Sequence, residues 1–311
     1  HEALNDAVLE GMTATTGEAK GLPNAAFTDS AFLELERKHL FSRTWVFAGS
    51  RSAVSEPGAV RCLEVAGRQL FMATDAKGET RVWFNVCPHR GARLVVEDQD
   101  KAAVLTCPYH GWSFGLDGGL RARPHYHAPL EHDRQGSKAE RDCLFEVRSA
   151  IWHDWVFVNI DGQAPAFEDY MAPAMKAYED WNLGALRLAH YQPFEFHANW
   201  KLVVENFCDN YHVFMVHPAL HDAQEPRDRF GMSPDGVHMF NRFVIGVEGR
   251  GLTPDPDGPT LPEIPDLPDA LEKDSPFCNL FPNATMAIFP TNVAFFSFEP
   301  VTVDETIMHV W

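Results

Sequence analysis

The spacing of hydrophobic positions changes character along the chain, and each change marks a different kind of element. Residues 1–25 show no period and contain Gly, Thr and Pro, so they read as an arm. Over 28–44 the apolar residues Phe32, Leu33, Leu35, Leu40 and Phe41 gather near one helical face behind a capping Thr28 or Asp29, which predicts a short amphipathic helix. From about 45 to 160 the apolar runs shorten and turn β-branched and aromatic, as in AVRCLEVAG, QLFMATDA, TRVWFNV, AVLTCPYH and WSFGLDG. With Gly and Asp between them, they predict an all-β module of short antiparallel strands, ending on WVFVNIDG at 155–162.

From 163 the pattern is mixed. Residues 169–181 and 199–217 read as helices, and 239–249 and 284–311 as strands. Between them, 251–276 holds seven prolines, which lack the N–H and fix φ, so an irregular segment is expected there: a lid or a surface insertion. The chain stops on VTVDETIMHVW, an alternating strand in progress, so the natural protein is expected to continue beyond Trp311. The predicted class is α+β. It comprises an arm and helix over 1–44, an all-β domain over 45–162, and a mixed domain on an antiparallel sheet with helices over 163–311, incomplete at its C-terminus.

Composition narrows the partners. Hydrophobic residues make up 45% of the chain, enough for a real core in one large or two modest domains. A formal charge of −18 repels phosphate backbones and anionic membrane surfaces, so neither nucleic acid nor membrane is an expected partner. No apolar run reaches the roughly 18–20 residues of a membrane helix. The start, HEALNDAVLEGMTATT, lacks the basic flank and apolar stretch of a secretory signal. The six cysteines (62, 87, 107, 143, 208, 278) are too sparse for a disulfide framework; four read as buried small apolar residues, and a cytoplasmic setting is expected.

The other two cysteines sit in a dense pattern. Cys87-Pro-His89-Arg-Gly and Cys107-Pro-Tyr-His110-Gly place 17 residues between His89 and Cys107, and each offers one thiolate and one imidazole. Two thiolates on one iron and two imidazoles on the other is the ligand set of a Rieske [2Fe–2S] cluster. Gly91 and Gly111 would let the backbone approach the sulfides, and Pro88 and Pro108 would stiffen the loops. The competing reading is a zinc site, but zinc modules usually open on a C-x(2–4)-C pair rather than Cys-x-His.

A second constellation lies in the string NWKLVVENFCDNYHVFMVHP at 199–218. On a helix, Asp209 and His212 share a face. His212 and His217 would stand about 140° apart at ~100° per residue, so both reach one ion only if the helix ends or distorts between them, with Pro218 a candidate cause. Two imidazoles and a carboxylate form the facial triad of non-haem Fe(II) oxygenases. In a chain of 15 histidines stray pairs are expected, and two core or surface histidines are the ordinary reading of such spacing taken alone.

CPHRGARL, CPYHGWSF and the 199–218 string together resemble the α subunits of Rieske-type aromatic-ring-hydroxylating oxygenases. That resemblance implies His212 and His217 as ligands of a mononuclear Fe(II). It implies Asp209 as the carboxylate bridging electron transfer to a Rieske histidine of a neighbouring subunit, through His110 or His89, with Glu205 in a supporting place. It places the third ligand, a carboxylate, beyond Trp311. It further implies a terminal oxygenase, mono- or dioxygenating, that draws electrons from NAD(P)H through a reductase, with or without a ferredoxin. O2 is then the co-substrate, and the assembly is a homotrimer or an α3β3 complex. The substrate would be a small aromatic ring or a quaternary amine; the aromatic-rich catalytic half (Phe194, Phe196, Phe207, Phe214, Met215, Phe240, Phe281, Phe289, Phe295, Phe296) suits either, or plain core packing. The rival is a Rieske electron carrier without oxygenase activity of its own.

Overall fold

The computed structural model describes residues 4–15, 17–136, 139–222, 236–244 and 261–311. The chain divides into two compact units, Arg43–Phe167 and a discontinuous one of His1–Ser42 with Glu168–Trp311.

Among its described residues the first unit has ten strands: β1 (Val46–Ser50), β2 (Val60–Val65), β3 (Arg68–Thr74), β4 (Thr80–Phe84), β5 (Leu105–Thr106), β6 (Ser113–Phe114), β7 (Leu120–Ala128), β8 (Glu131–Asp133), β9 (Glu146–Trp152) and β10 (Trp155–Asn159). Six form an antiparallel sheet in the order β1-β10-β9-β4-β3-β2, and the short ones a second sheet, β5-β6-β7-β8. Val60, Phe71, Trp83, Leu94, Val95, Leu105, Phe114 and Leu120 fill a common core that includes Cys87 and Cys107. Both metal-loop cysteines are therefore rooted in packed β structure.

In the second unit, the N-terminal elements are α1 (Asp6–Met12), α2 (Ala25–Thr28) and α3 (Ser30–Glu36), the last running into a π-turn at Arg37–Phe41. The arm expected over 1–25 thus holds a short helix, capped by the Asn5 side chain accepting from Val8 N–H. At α3 the cap is Asp29, which accepts from Ala31 N–H, and Phe32, Leu33 and Phe41 are the buried face. Then come α4 (Phe167–Ala177), β11 (Gln192–Phe196), α5 (Trp200–Cys208), α6 (Val213–Val216), α7 (Pro218–Asp222), β12 (Met239–Val244), β13 (Asp274–Leu280), β14 (Ala284–Phe289), β15 (Asn292–Pro300) and β16 (Thr306–Val310). Their sheet is antiparallel in the order β11-β16-β15-β14-β13-β12. Helix α5 lies on it, with Val203, Val204 and Phe207 packed against Phe296, Phe298, Met308 and Val310.

Three expectations are corrected. The region 199–217 is not one helix: α5 stops at Cys208, and a turn at 209–212 precedes α6. Asp209 accepts from the Tyr211 N–H at 2.6 Å, a local bond that competes with the helical ladder. Pro218 has the expected effect at the other end, since α6 stops at Val216 and His217 before the proline is non-helical, while Pro218 itself opens α7, as a residue without an N–H can. The end of the proline-rich stretch is regular, because Pro276 sits in β13 opposite Arg242; the expected strand at 245–249 and residues 251–260 lie outside the described residues. Of the four cysteines read as buried, Cys278 is, whereas Cys62, Cys143 and Cys208 are half-exposed.

Candidate metal centres

Two loops carry the first set of ligands. The second is a hairpin tip between β5 and β6. The first is no hairpin tip; it follows β4 and is closed by Asn85, whose carboxamide donates to Val95 C=O at 2.7 Å and accepts from Leu94 and Val95 N–H. Despite different roots, the loops have the same backbone geometry. Cys87 N–H donates to Ala92 C=O and Gly91 N–H to Cys87 C=O; Cys107 N–H donates to Trp112 C=O and Gly111 N–H to Cys107 C=O. Gly91 and Gly111 have φ of 69° and 71°, so left-handed backbone is the reason the structure gives for glycine there. At Gly111 a Cβ would also meet the Pro124 ring at 3.2 Å.

The four side chains meet as a sulfur pair, Cys87 with Cys107, and an imidazole pair. The His89 and His110 rings lie 4.6 Å apart, and Trp112 stacks flat on His89. Cys87 and Cys107 are buried, at 1% and 2% exposure. Burial pushes the Cys87 thiol up to about 11, and the adjacent Cys107 adds to the rise against backbone N–H groups at His89 and Arg90. Two buried sulfurs side by side are at ease as thiolates only around a cation. Desolvation, then the neighbouring His110 and Arg90, hold His89 below the usual imidazole range, so it is a neutral donor. His110 Nδ1 is buried without a hydrogen-bond partner. An orphaned ring nitrogen beside paired sulfurs fits a two-iron core with two thiolates and two imidazoles.

The second set sits where α5 ends. Asp209 caps that helix through its N–H to Glu205 C=O at 2.9 Å. Its carboxylate stands 3.3 Å from His212 Nδ1, so the two meet across a turn rather than along a helix face. His212 enters α6 and His217 leaves it, which brings their rings to 5.3 Å at 72°. The break required for both to face one ion lies at His217, which leaves the helical region (φ −125°, ψ 63°) at the end of the one-turn α6. Among the described residues no three His, Cys, Asp or Glu side chains gather around one point, so this pair stands with two donors. Glu205 lies one turn earlier in α5, its carboxyl raised by burial against the lowering effect of Lys201.

Beside the histidines opens a cavity of about 470 Å³. Phe207, Phe289 and Phe296 line it as aromatic walls, joined by Phe243 and Phe277, which the sequence had not singled out. Phe295 is core, and Phe194, Phe196, Phe214 and Phe281 are exposed. Their strand positions decide this: Phe243 and Phe277 alternate onto the cavity face of β12 and β13, a placement that register sets.

Fold and site together define a Rieske domain joined to a domain of the ring-hydroxylase catalytic type. Residues 44–134 match the family model "Rieske [2Fe-2S] domain", and 183–311 match "Ring hydroxylating alpha subunit (catalytic domain)". The chain belongs to the Rieske-type ring-hydroxylating oxygenase α-subunit family. It is 30% identical over 200 residues to the glycine betaine monooxygenase oxygenase subunit of Pseudomonas aeruginosa, covering 64% of this chain and 45% of that one. With the biphenyl dioxygenase subunit alpha of Paraburkholderia xenovorans it shares 31% over 219 residues, 66% of this chain and 46% of that one. A solved quaternary ammonium Rieske monooxygenase in complex with L-carnitine has the same fold, with a TM-score of 0.74 at 22% identity, over 94% of this chain and 74% of that one. The chain spans about half the length of the curated relatives it matches. No helix among the described residues is long and apolar enough to cross a membrane.

Proposed function

We propose that this chain is the terminal oxygenase component of a multi-component system, with Cys87, His89, Cys107 and His110 holding the [2Fe–2S] cluster and His212 and His217 holding the mononuclear Fe(II). The observation that carries the reading is the pairing of two ligand sets, one of two buried cysteines with two imidazoles and one histidine pair opening on an apolar cavity. When bound, these groups supply electron storage and O2 activation, fed by NAD(P)H through a separate reductase, with or without a ferredoxin. In this reading a carboxylate beyond Trp311 completes the iron ligands, the assembly is a homotrimer or α3β3, and the setting is the cytoplasm.

The chain's own residues orient and exclude. A proton on His212 Nδ1, donated toward Asp209 Oδ2, leaves Nε2 as the metal-facing lone pair. Asp209 is then both the holder of that tautomer and the carboxylate offered to a Rieske histidine of a neighbouring subunit. The phenylalanine walls keep water from the substrate.

Cavity chemistry favours a neutral ring-bearing substrate. Among its described lining residues there is no Lys or Arg, and its one acid, Asp209, is occupied by Tyr211 N–H and His212. A zwitterion would leave its carboxylate without a cation in an apolar pocket, whereas Asn206, Asn210, Ser275 and Asn292 can hydrogen-bond a neutral polar substituent. A quaternary amine is the second reading, favoured by the glycine betaine and carnitine relatives and by the capacity of phenylalanine faces to cage a cation. The test is iron analysis of the natural protein, then NADH and O2 consumption with a surrogate reductase on aromatic hydrocarbons, glycine betaine and carnitine. Three iron atoms per chain and product from an aromatic ring are expected. Two irons per chain with no product would leave only an electron carrier.

A further inference from the structure

The stack of Trp112 on His89 joins the two ligand loops and is not required to close either, since backbone hydrogen bonds do that. The rings are 4.6 Å apart with an interplanar angle of 1°, and Trp112 is 8% exposed. Its indole thus covers one face of an imidazole that otherwise meets solvent. The Trp112 side chain is itself braced. Tyr126 meets it edge-on at 6.1 Å, and the Arg123 guanidinium lies 3.6 Å from the Tyr126 ring centre and 5.4 Å from that of Trp112. Arg123 is in turn fixed by Asp133, with Nε and Nη2 donating to Oδ2 at 2.7 and 2.6 Å, and it faces Asp142 at 3.7 Å. Both Arg123 and Asp133 are nearly buried. The brace comes from the β7–β8 hairpin, so a separate piece of chain fixes the plane of one ligand ring.

We propose that Trp112 is a positioning residue, braced by Tyr126, Arg123 and Asp133, that fixes the ring plane of His89 and seals its face from water. The proposal rests on the reading of His89 as a cluster ligand. It has two electronic consequences. Ring orientation sets overlap with the metal, and dryness sets how well an added electron's charge is tolerated. A cluster with two thiolates and two neutral imidazoles is neutral when oxidised and carries one negative charge when reduced. Water admitted at His89 stabilises the charged form, so loss of the indole should raise the midpoint potential.

The experiment compares the natural protein with Trp112→Ala, Trp112→Leu and Trp112→Phe. Each is assayed for iron and sulfide content, for the EPR spectrum of the dithionite-reduced state, and for midpoint potential by redox titration. Absence of a Rieske spectrum in the unmutated protein would defeat the ligand reading itself, before any variant is considered. Given that spectrum, Trp112→Ala is expected to keep its cluster, shift the EPR g-values and move the potential upward, while Trp112→Phe, which retains a flat face, stays close to the parent. Leu keeps bulk without a plane, so it should resemble Ala; it decides the matter if Ala does not load. An Ala or Leu variant with unchanged spectrum and potential, a downward shift, or Leu behaving as Phe would overturn the proposal. Loss of cluster from Ala and Leu alike would overturn it too, by making Trp112 an assembly residue instead.

Discussion

Lys201 offers the sharpest test of how helix α5, which leads to the histidine pair, is held. It lies in the first turn of α5 and reaches Glu36 of α3, with Nζ 2.8 Å from Oε1. The other Glu36 oxygen accepts from Trp200 Nε1 at 2.9 Å, and the ammonium sits among the Phe27, Phe32 and Trp200 rings. Both charges are buried, at 7% and 8% exposure. At an effective dielectric near 20, two charges at this separation attract by about 6 kcal/mol, most of it offset by the desolvation of two ions. The intact pair is therefore worth little net, while a broken one leaves a stranded carboxylate costing about 3–5 kcal/mol. Lys201→Met should lower the melting temperature by roughly 6–20 °C, at 2–4 °C per kcal/mol for a unit of this size. Glu36→Leu combined with Lys201→Met should recover most of the loss, which a thermal double-mutant cycle would read. A Lys201→Met protein melting within about 2 °C of the parent, or a strictly additive cycle, would refute the reasoning. Alkaline pH gives a second readout. Burial lowers the Lys201 pKa against the pull of Glu36, so the unfolded chain binds more protons between that value and 10.5. In that window this group makes stability rise with pH, and Lys201→Met should lose that part of the slope.

Asp209→Asn should leave iron content and both spectra intact and abolish turnover with the natural reductase; measurable product would contradict its bridging place. Gly91→Ala should cost about 1–2 kcal/mol from left-handed backbone alone, and Gly111→Ala more, because its Cβ also meets Pro124; equal melting temperatures would contradict that ordering. Asp133 is held below the usual carboxylate range by its hydrogen bond from Arg123. Its contribution is present above the ordinary 3.8 and is lost as pH falls through the lower folded value, so Asp133→Asn should show a flatter acid limb in urea unfolding, and parallel limbs would speak against it.

What the sequence determined is local chemistry. Donor type and spacing pointed to Cys87, His89, Cys107 and His110, and the family resemblance to His212 and His217, because each half of a candidate ligand set is carried within a few residues. Short aromatic and β-branched runs marked most of the strands of the first unit for the same reason. Strand β11 escaped because QPFEF is only five residues long and carries Pro193, which argues against a strand. Tertiary structure decided everything that depends on distant partners. It returned residues 1–42 to the unit formed by 168–311, and joined Glu36 to Lys201. It also turned Phe243 and Phe277 into the cavity and laid Trp112 on His89. The break after Cys208 lies between these extremes. Asp209 in DNYH carries the turn chemistry locally, but a helix pattern running past it hides the stop until the Tyr211 N–H is seen to choose the side chain over the ladder.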